Sequence, residues 1–209
     1  MKITVSYINS LYDQKKTIDL INETSADAIH VDLMDGIYAG TKNFDINHLP
    51  LLFKDNIKPL EIHMMVSKPS GYLNDLLKIK PSCIYIHPST EPSAFGLLNE
   101  LNNNEILRGL VINPDEEISS FSHYFPYIDR VLLMSVIPGK GGQKFLKSTK
   151  ERLQDLIEYK KDNDFEIYID GGINNETIKE VTNADGVISG SYICMSKDFE
   201  SRIKILKKQ

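Results

Sequence analysis

Short apolar runs rich in isoleucine and valine alternate with segments of helical periodicity along the chain. Eight such runs occupy residues 2–8, 28–33, 60–66, 83–87, 107–112, 129–136, 166–170 and 186–189. Between and after them, apolar side chains recur every three or four residues at 12–22, 46–53, 72–79, 95–101, 118–125, 145–159, 178–181 and 199–206. This spacing is typical of amphipathic helices. The pattern predicts eight strands, each followed by a helix.

Strands that are apolar on both faces and separated by helices indicate a parallel sheet covered on both sides. Eight such units in 209 residues favour a small (β/α)8 barrel, the TIM barrel architecture, whose range begins at about 200 residues. A doubly wound open sheet is the alternative. It would carry a Gly-x-Gly-x-x-Gly turn after the first strand, where this chain reads Asn9-Ser10-Leu11-Tyr12. No linker or low-complexity tract divides the chain, so we expect residues 1–209 to form a single domain.

Composition and charge exclude several classes of protein. Hydrophobic residues make up 41% and charged residues 25% of the chain, which is typical of a folded globular protein and not of a disordered or fibrous one. The 24 basic and 29 acidic residues give a formal charge of −5, so we expect no nucleic-acid partner. Two cysteines in apolar runs, no apolar run long enough for a membrane and no signal-peptide pattern predict a soluble cytoplasmic protein.

Polar side chains close three of the predicted strands. In a barrel of this type the active site lies at the carboxyl ends of the strands. The second strand ends with His30 and Asp32, which share a face because alternate residues do; the third ends with His63 and the seventh with Asp170. A single strand histidine is more commonly a hydrogen-bonded core residue. Two imidazoles and two carboxylates on one rim favour a site for zinc, manganese, iron or cobalt.

Glycine-rich loops follow the last three predicted strands. They read Pro138-Gly139-Lys140-Gly141-Gly142-Gln143, Asp170-Gly171-Gly172 and Ser189-Gly190-Ser191. Glycines let backbone N–H groups approach an anion closely, and barrels commonly bind phosphate at these loops. Tight turns would also use glycine, but the same chemistry in three adjacent loops favours a phosphate site.

These motifs, taken in order, resemble the ribulose-phosphate 3-epimerase family, which includes D-allulose-6-phosphate 3-epimerase. The segments that carry the resemblance are 30–36, 63–69, 134–139, 141–145, 170–172 and 189–191. The resemblance implies epimerisation at C3 of a ketose phosphate, D-ribulose 5-phosphate to D-xylulose 5-phosphate, through a cis-enediolate. It implies one divalent ion (Zn, Fe, Mn or Co) held by His30, Asp32, His63 and Asp170. It also implies that Asp32 and Asp170 are the two acid/base groups, because inversion takes a proton from one face and returns one to the other.

The resemblance further implies a set of substrate contacts and a homo-oligomer. The reaction centre would be lined by Ser6, His63, Met34, Met65 and Met134. The phosphate would be bound by Gly139, Gly141, Gly142, Gly171, Gly172, Gly190 and Ser191, with Lys140 either adding a contact or facing solvent. His87, which closes the fourth strand, is expected to support the site or the fold, whereas His48 and His123 fall in helical segments and are expected at the surface.

The chain departs from the family pattern in two loops, at 37–44 and 137–143. Lys140 stands where the family has a phenylalanine, and Ile137 where it has an acidic residue. Because these loops cover the substrate in the family, they leave D-allulose 6-phosphate open as the substrate, and also a phosphosugar-binding relative without activity. A Schiff-base aldolase and an orotidine-phosphate-type decarboxylase fit less well, since no lysine interrupts the inner strands or the Asp32–Asp35 segment.

Overall fold

Eight parallel strands close into a barrel in chain order. The computed structural model describes residues 1–209. The strands are β1 Lys2–Ser6, β2 Ala28–Met34, β3 Leu60–Met65, β4 Cys83–Ile86, β5 Leu107–Ile112, β6 Arg130–Met134, β7 Glu166–Asp170 and β8 Gly186–Ser189. β1 pairs with β2 on one side and with β8 on the other, which closes the cylinder. The predicted (β/α)8 barrel is therefore confirmed, and the open-sheet alternative is wrong.

The α-helices and 3-10 helices surround this barrel. The α-helices are α1 Gln14–Asn22, α2 Leu49–Leu52, α3 Leu73–Leu76, α4 Ala94–Asn103, α5 Thr149–Lys160, α6 Ser191–Cys194 and α7 Phe199–Lys207. The 3-10 helices span Pro69–Tyr72, Leu77–Ile79, Pro88–Thr90, Ile118–Tyr127 and Thr177–Glu180. None of the helices combines the length and the apolar character that crossing a membrane requires.

Several predicted helices differ in length or type. The helix predicted at 118–125 is a 3-10 helix that contains Pro126, a residue without an amide N–H to donate. The helix predicted at 178–181 is the 3-10 turn Thr177–Glu180. The helix predicted at 46–53 shortens to Leu49–Leu52, and the one predicted from 145 begins at Thr149. Apolar spacing alone does not distinguish a short 3-10 turn from an α-helix, because both bury one side.

Alternation along the strands separates an outer shell from the lumen. On β2, Ile29, Val31 and Leu33 belong to the large core between strands and helices, whereas His30 and Asp32 point the other way. A second, smaller core fills the lumen and consists of Cys83, Tyr85, Val111, Leu132, Met134, Val136, Tyr168 and Ile188. The lumen is thus packed through its middle, and polar side chains gather at its two ends.

The amino-terminal end of the lumen holds a buried ion pair. Arg130, the first residue of β6, donates to Glu61 Oε1 at 2.6 Å and to Glu166 Oε2 at 2.9 Å. Its guanidinium lies 4.5 Å from the centre of the Tyr168 ring. Lys2 also donates to Glu166, at 2.7 Å. Each charge at this end has a partner of opposite sign.

Candidate active site

The carboxyl-terminal ends of β2, β3 and β7 bring the four predicted metal ligands together. His30 Nε2 lies 3.3 Å from Asp32 Oδ1 and 3.8 Å from Asp170 Oδ2. His63 Nδ1 lies 3.2 Å from Asp32 Oδ1 and 3.7 Å from Asp170 Oδ2. One ligand atom from each of the four residues lies within 4.8 Å of the others. Since β2 and β7 are not neighbours in the barrel, the two carboxylates approach the imidazoles from different sides.

The donor set fits a divalent cation. Both ring nitrogens of His30 are buried and make no hydrogen bond, even though Nε2 is close to Asp32. A buried polar atom without a partner is costly, and native structures contain few of them. Two nitrogen and two carboxylate ligands are a set that zinc and related transition metals accept. An ion among these four residues would give His30 Nε2, the nitrogen that faces the carboxylates, a partner.

The two carboxyl groups differ in proton affinity. Burial raises the pKa of Asp170 to about 6; the charge of Asp32 adds to this rise, whereas His30 and His63 oppose it. Burial also disfavours ionised Asp32, but His30 and His63 outweigh it and hold the pKa of that carboxyl well below its usual range. The pKa of His30 is raised to about 9, because Asp32 and Asp170 outweigh the effect of burial. In the metal-free protein, Asp32 is therefore the stronger acid of the pair.

Neighbouring side chains hold Asp32 in place. Ser6 donates from Oγ to Asp32 Oδ2 at 2.8 Å. Asn43 donates to the backbone carbonyl of Asp32 and accepts from the backbone N–H of Met34, each at 2.8 Å. The sequence pointed to Ser6 but not to Asn43, which lies in an atypical loop without periodicity. Asn43 therefore links that loop to the end of β2.

A third histidine, His87, contacts the four predicted metal ligands, called the metal quartet below, from outside. His87 Nε2 lies 2.9 Å from His63 Nε2, and His87 Nδ1 lies 3.0 Å from the Tyr38 hydroxyl. Burial, followed by the charge of His63, holds the pKa of His87 well below its usual range, so this ring is neutral. His87 thus supports a predicted ligand, as the sequence suggested, whereas Tyr38 escaped the sequence analysis. His48 and His123 are exposed, as predicted.

One cavity joins the quartet to the glycine-rich loops. Its walls include every predicted substrate-binding residue together with Asp32 and Asp170, namely Ser6, Asp32, Met34, His63, Met65, Met134, Gly139, Lys140, Gly141, Gly142, Asp170, Gly171, Gly172, Gly190 and Ser191. His30 lies beneath and is fully buried. Seven further residues line the cavity and were not predicted as substrate contacts, although Ile137, Pro138 and Gln143 lie in the predicted loop; they are Ile8, Asn9, Val136, Ile137, Pro138, Gln143 and Ile188. The predicted metal and phosphate ends therefore share one space.

The glycine end of this cavity offers unpaired backbone donors. The amides of Gly141, Gly142, Gly172 and Gly190 donate to no backbone or side-chain acceptor in the protein. Gly172 has φ +64°, and a Cβ atom there would fall 2.6 Å from the backbone nitrogen of Phe145, so only glycine fits this turn. Free N–H groups converging in one place are the usual protein contacts of a phosphate group.

The two atypical loops meet above the cavity. Ala39, in the loop after β2, lies so close to Gly139, in the loop after β6, that a Cβ on Gly139 would be 2.8 Å from the Ala39 methyl group. Lys140 lines the cavity but is exposed to solvent. The loop at 137–143 therefore lines the cavity, whereas the loop at 37–44 packs against it and lines none of the cavity.

A model of the ribulose-phosphate 3 epimerase family matches residues 2–194. The chain belongs to this family. A ribulose-phosphate 3-epimerase of Helicobacter pylori is 35% identical over 189 residues, which cover 88% of this chain and 87% of that protein. The enzyme of the same name from Escherichia coli is 29% identical over 191 residues, covering 88% and 84%. The resemblance inferred from the motifs is thus confirmed, as is the prediction of an isomerase that acts on carbohydrates.

Solved structures of other barrels resemble this member of the epimerase family in fold alone. A 3-hexulose-6-phosphate synthase from Salmonella typhimurium superposes with a TM-score of 0.71 at 14% identity, covering 100% of this chain and 97% of the other. KGPDC from Streptococcus mutans gives a TM-score of 0.68 at 16% identity, covering 99% and 95%. At these identities the similarity confirms the barrel and carries no information on the reaction.

Proposed function

We propose that this protein interconverts D-ribulose 5-phosphate and D-xylulose 5-phosphate by moving the proton at C3. Membership of the epimerase family supports the pentose substrate. The observation that carries the proposal is the pair of carboxylates, Asp32 on β2 and Asp170 on β7, at the floor of one cavity. Inversion at a carbon needs an acid and a base on opposite faces of the substrate, and two non-neighbouring strands supply them.

The proposed chemistry assigns a role to each carboxyl group. One carboxylate removes the C3 proton, and the other, protonated beforehand, returns a proton to the opposite face. Such a division needs two carboxyl groups of different proton affinity, as Asp32 and Asp170 have in the metal-free protein. Ser6 would keep Asp32 oriented through its hydrogen bond. A divalent ion held by His30, Asp32, His63 and Asp170 would supply Lewis-acid stabilisation of negative charge on the sugar oxygens. The donor set accepts zinc, iron, manganese or cobalt.

The rest of the cavity would bind and shield the sugar. Met34, Met65 and Met134 are each 3% exposed, and their flexible thioethers would cover the planar cis-enediolate and exclude water. The unpaired amides at Gly141, Gly142, Gly172 and Gly190 would receive the phosphate, together with Gly139, Gly171 and Ser191. Lys140 would add a positive charge at this end. We also propose that residues 1–209 act as one catalytic domain, since the barrel needs both β1 and β8 to close.

We propose a cytoplasmic location and a homo-oligomeric assembly. The two cysteines are buried and unpaired, which suits a reducing cytoplasm. A homo-oligomer stays a prediction, and sedimentation of the purified protein would test it.

Isotope exchange in deuterated water tests the function directly. Purified protein is incubated separately with D-ribulose 5-phosphate and D-allulose 6-phosphate, and deuterium at C3 is read by NMR. We expect label in the pentulose, loss of exchange after chelation, and its return when a divalent metal is added. Label confined to the hexulose would replace the substrate with D-allulose 6-phosphate. No label in either sugar would overturn the enzyme assignment in favour of a phosphosugar-binding relative.

A further inference from the structure

A line of hydrogen bonds runs from His63 to the far side of the barrel mouth. His63 Nε2 is 2.9 Å from His87 Nε2, and His87 Nδ1 is 3.0 Å from the Tyr38 hydroxyl. Asn113, which follows β5, donates from Nδ2 to the same hydroxyl at 3.1 Å. The line therefore joins the residues after β2, β4 and β5 to one member of the metal quartet.

The chemistry of the quartet fixes the direction of each hydrogen bond in this line. The nitrogen of His63 that faces Asp32 and Asp170 is Nδ1, so a metal bound there needs Nδ1 without a proton. The neutral ring then carries its proton on Nε2 and donates it to His87 Nε2. His87 in turn must carry its own proton on Nδ1, which donates to the Tyr38 oxygen.

The reverse direction is incompatible with a metal. If Tyr38 donated to His87 Nδ1, the His87 proton would sit on Nε2 and donate to His63 Nε2. His63 would then hold its proton on Nδ1, between the two carboxylates, where it would block coordination. The Tyr38 oxygen has two lone pairs, enough to accept from both His87 and Asn113.

We propose that Tyr38 is a positioning residue that acts through His87 to hold His63 in its metal-binding tautomer. The proposal rests on the proposed metal centre. In this proposal the atypical loop at 37–44 places the Tyr38 hydroxyl beside His87. The Tyr38 ring packs 4.7 Å from the His87 ring, centre to centre, and its backbone N–H donates to Asp35, so the hydroxyl is held in place.

Asn113, the last residue of this line of hydrogen bonds, is held in place by its own backbone contacts. Its backbone N–H donates to Glu116 at 2.7 Å, and its carbonyl accepts from Arg152 at 2.9 Å. Asn113 Nδ2 occupies one lone pair of the Tyr38 oxygen and leaves the second one for His87. A phenylalanine at position 38 would leave the buried His87 Nδ1–H without an acceptor.

Zinc affinity of the chelator-stripped protein tests the proposal without any assay of turnover. Competition with a chromophoric chelator is measured for the wild type, for Tyr38→Phe and for Tyr159→Phe, a matched control whose hydroxyl makes no hydrogen bond in the protein. We expect Tyr38→Phe to bind zinc about 10- to 100-fold more weakly, the usual effect of losing such a supporting contact. The control should bind as the wild type does.

Coupling between the two positions separates this role from a packing effect. In His87→Leu, no polar side chain joins Tyr38 to His63, so any effect of Tyr38 that passes through position 87 is removed. Adding Tyr38→Phe to this background should leave zinc affinity unchanged. An equal loss of affinity from Tyr38→Phe in both backgrounds would overturn the proposal.

Nitrogen-15 NMR of the zinc-loaded wild type gives a readout that needs no variant. We expect protons on His63 Nε2 and His87 Nδ1. A proton on His87 Nε2 would overturn the proposal even if Tyr38→Phe failed to fold. A wild type that binds no zinc would overturn the metal centre as well. If Tyr38 and His87 are coupled in zinc affinity but neither sugar is labelled at C3, the proposed epimerase function is refuted and the role of Tyr38 stands.

Discussion

The two ends of the barrel lumen differ in how their buried charged groups are paired. At the amino-terminal end, Arg130 lies between Glu61 and Glu166, so that the positive and negative charges compensate each other. At the carboxyl-terminal end, Asp32 and Asp170 share two histidines, and both nitrogens of His30 are unpaired. At the amino-terminal end, called the lower end below, the protein supplies the opposite charges itself, although Glu61 Oε2 makes no hydrogen bond. At the carboxyl-terminal end, called the upper end, the four side chains form a donor set that a divalent cation would complete.

The same strands therefore carry charged residues that stabilise the fold at one end and residues proposed to react at the other. β7 contributes Glu166 to the lower cluster and Asp170 to the upper one, four residues apart on the same face. A paired charge raises the cost of unfolding, while an unpaired one lowers stability and retains the capacity to react. Substitutions at the two ends should therefore have opposite effects on turnover and on the free energy of unfolding.

The largest expected effect is on turnover of Asp170→Asn. The amide keeps the shape of the side chain but can neither accept nor deliver a proton, so epimerase activity should fall by about 10²- to 10⁴-fold. The metal-free protein should unfold at the same or a higher urea concentration at pH 7, because a buried carboxylate has been removed. Glu166→Gln on the same strand is the control and should keep its turnover while losing stability. Undiminished interconversion of the two epimers by Asp170→Asn would exclude the two-base mechanism.

The next largest effect is on the stability of Arg130→Met. Removing the guanidinium leaves Glu61, which is 3% exposed, without its cation, and breaking such a buried pair costs about 3–5 kcal/mol. The free energy of unfolding in urea should fall by that amount, with near-normal turnover per folded molecule. Arg108→Met, which breaks the more exposed pair with Asp129, should cost less. Equal losses in both variants would show that burial does not govern this pair.

The contributions of Asp170 and Glu166 to stability should depend on pH with opposite signs. The pKa of Asp170 is raised to about 6 by burial, so its stabilising contribution is full below pH 4 and is lost as pH rises through 6. Burial also disfavours ionised Glu166, but Lys2 and Arg130 outweigh it and lower its pKa, so its contribution is present above pH 4.5 and is lost as pH falls.

Urea unfolding of the metal-free wild type, Asp170→Asn and Glu166→Gln between pH 4 and 8 would measure both contributions. The difference between wild type and Asp170→Asn should change by about 2 kcal/mol across this range. The difference between wild type and Glu166→Gln should change in the opposite sense, by less, because Glu166 is partly exposed. Parallel curves for all three proteins would contradict the proposed contrast.

The four residues at the upper end could be predicted from the sequence. Alternation along a strand shows which side chains share a face, and position at the end of an apolar run shows which rim they reach. His30 and Asp32 alternate on one strand, and polar residues that end apolar runs reach the same rim. Tyr38, Asn43 and Asn113 could not be found in this way, since they lie in loops where no periodicity fixes direction. Their roles depend on contacts between segments that only the closed barrel brings together.

The lower cluster shows a different limit of sequence reasoning. Parity places Glu61 on the same face as His63, and Glu166 on the same face as Asp170, so both were predictable as residues of the lumen. Their pairing with Arg130 joins β3, β6 and β7, and the order of strands around the barrel is needed to see it. The short 3-10 turn Thr177–Glu180 was mistaken for an α-helix for a related reason, because four residues hold too little periodicity to decide.

The smallest expected effect is that of Ser6→Ala at the upper end. Ser6 donates to Asp32 at 2.8 Å, and its loss leaves the carboxylate ionised but free to turn away from the substrate. Turnover should fall about tenfold, equivalent to roughly 1.4 kcal/mol, with little change in the free energy of unfolding. Thr4→Ala is the matched control, because Thr4 lies on the same strand and its buried hydroxyl has no hydrogen-bond partner. Equal losses of turnover in the two variants would show that the effect comes from altered packing of β1. The hydrogen bond from Ser6 to Asp32 would then not be needed for turnover.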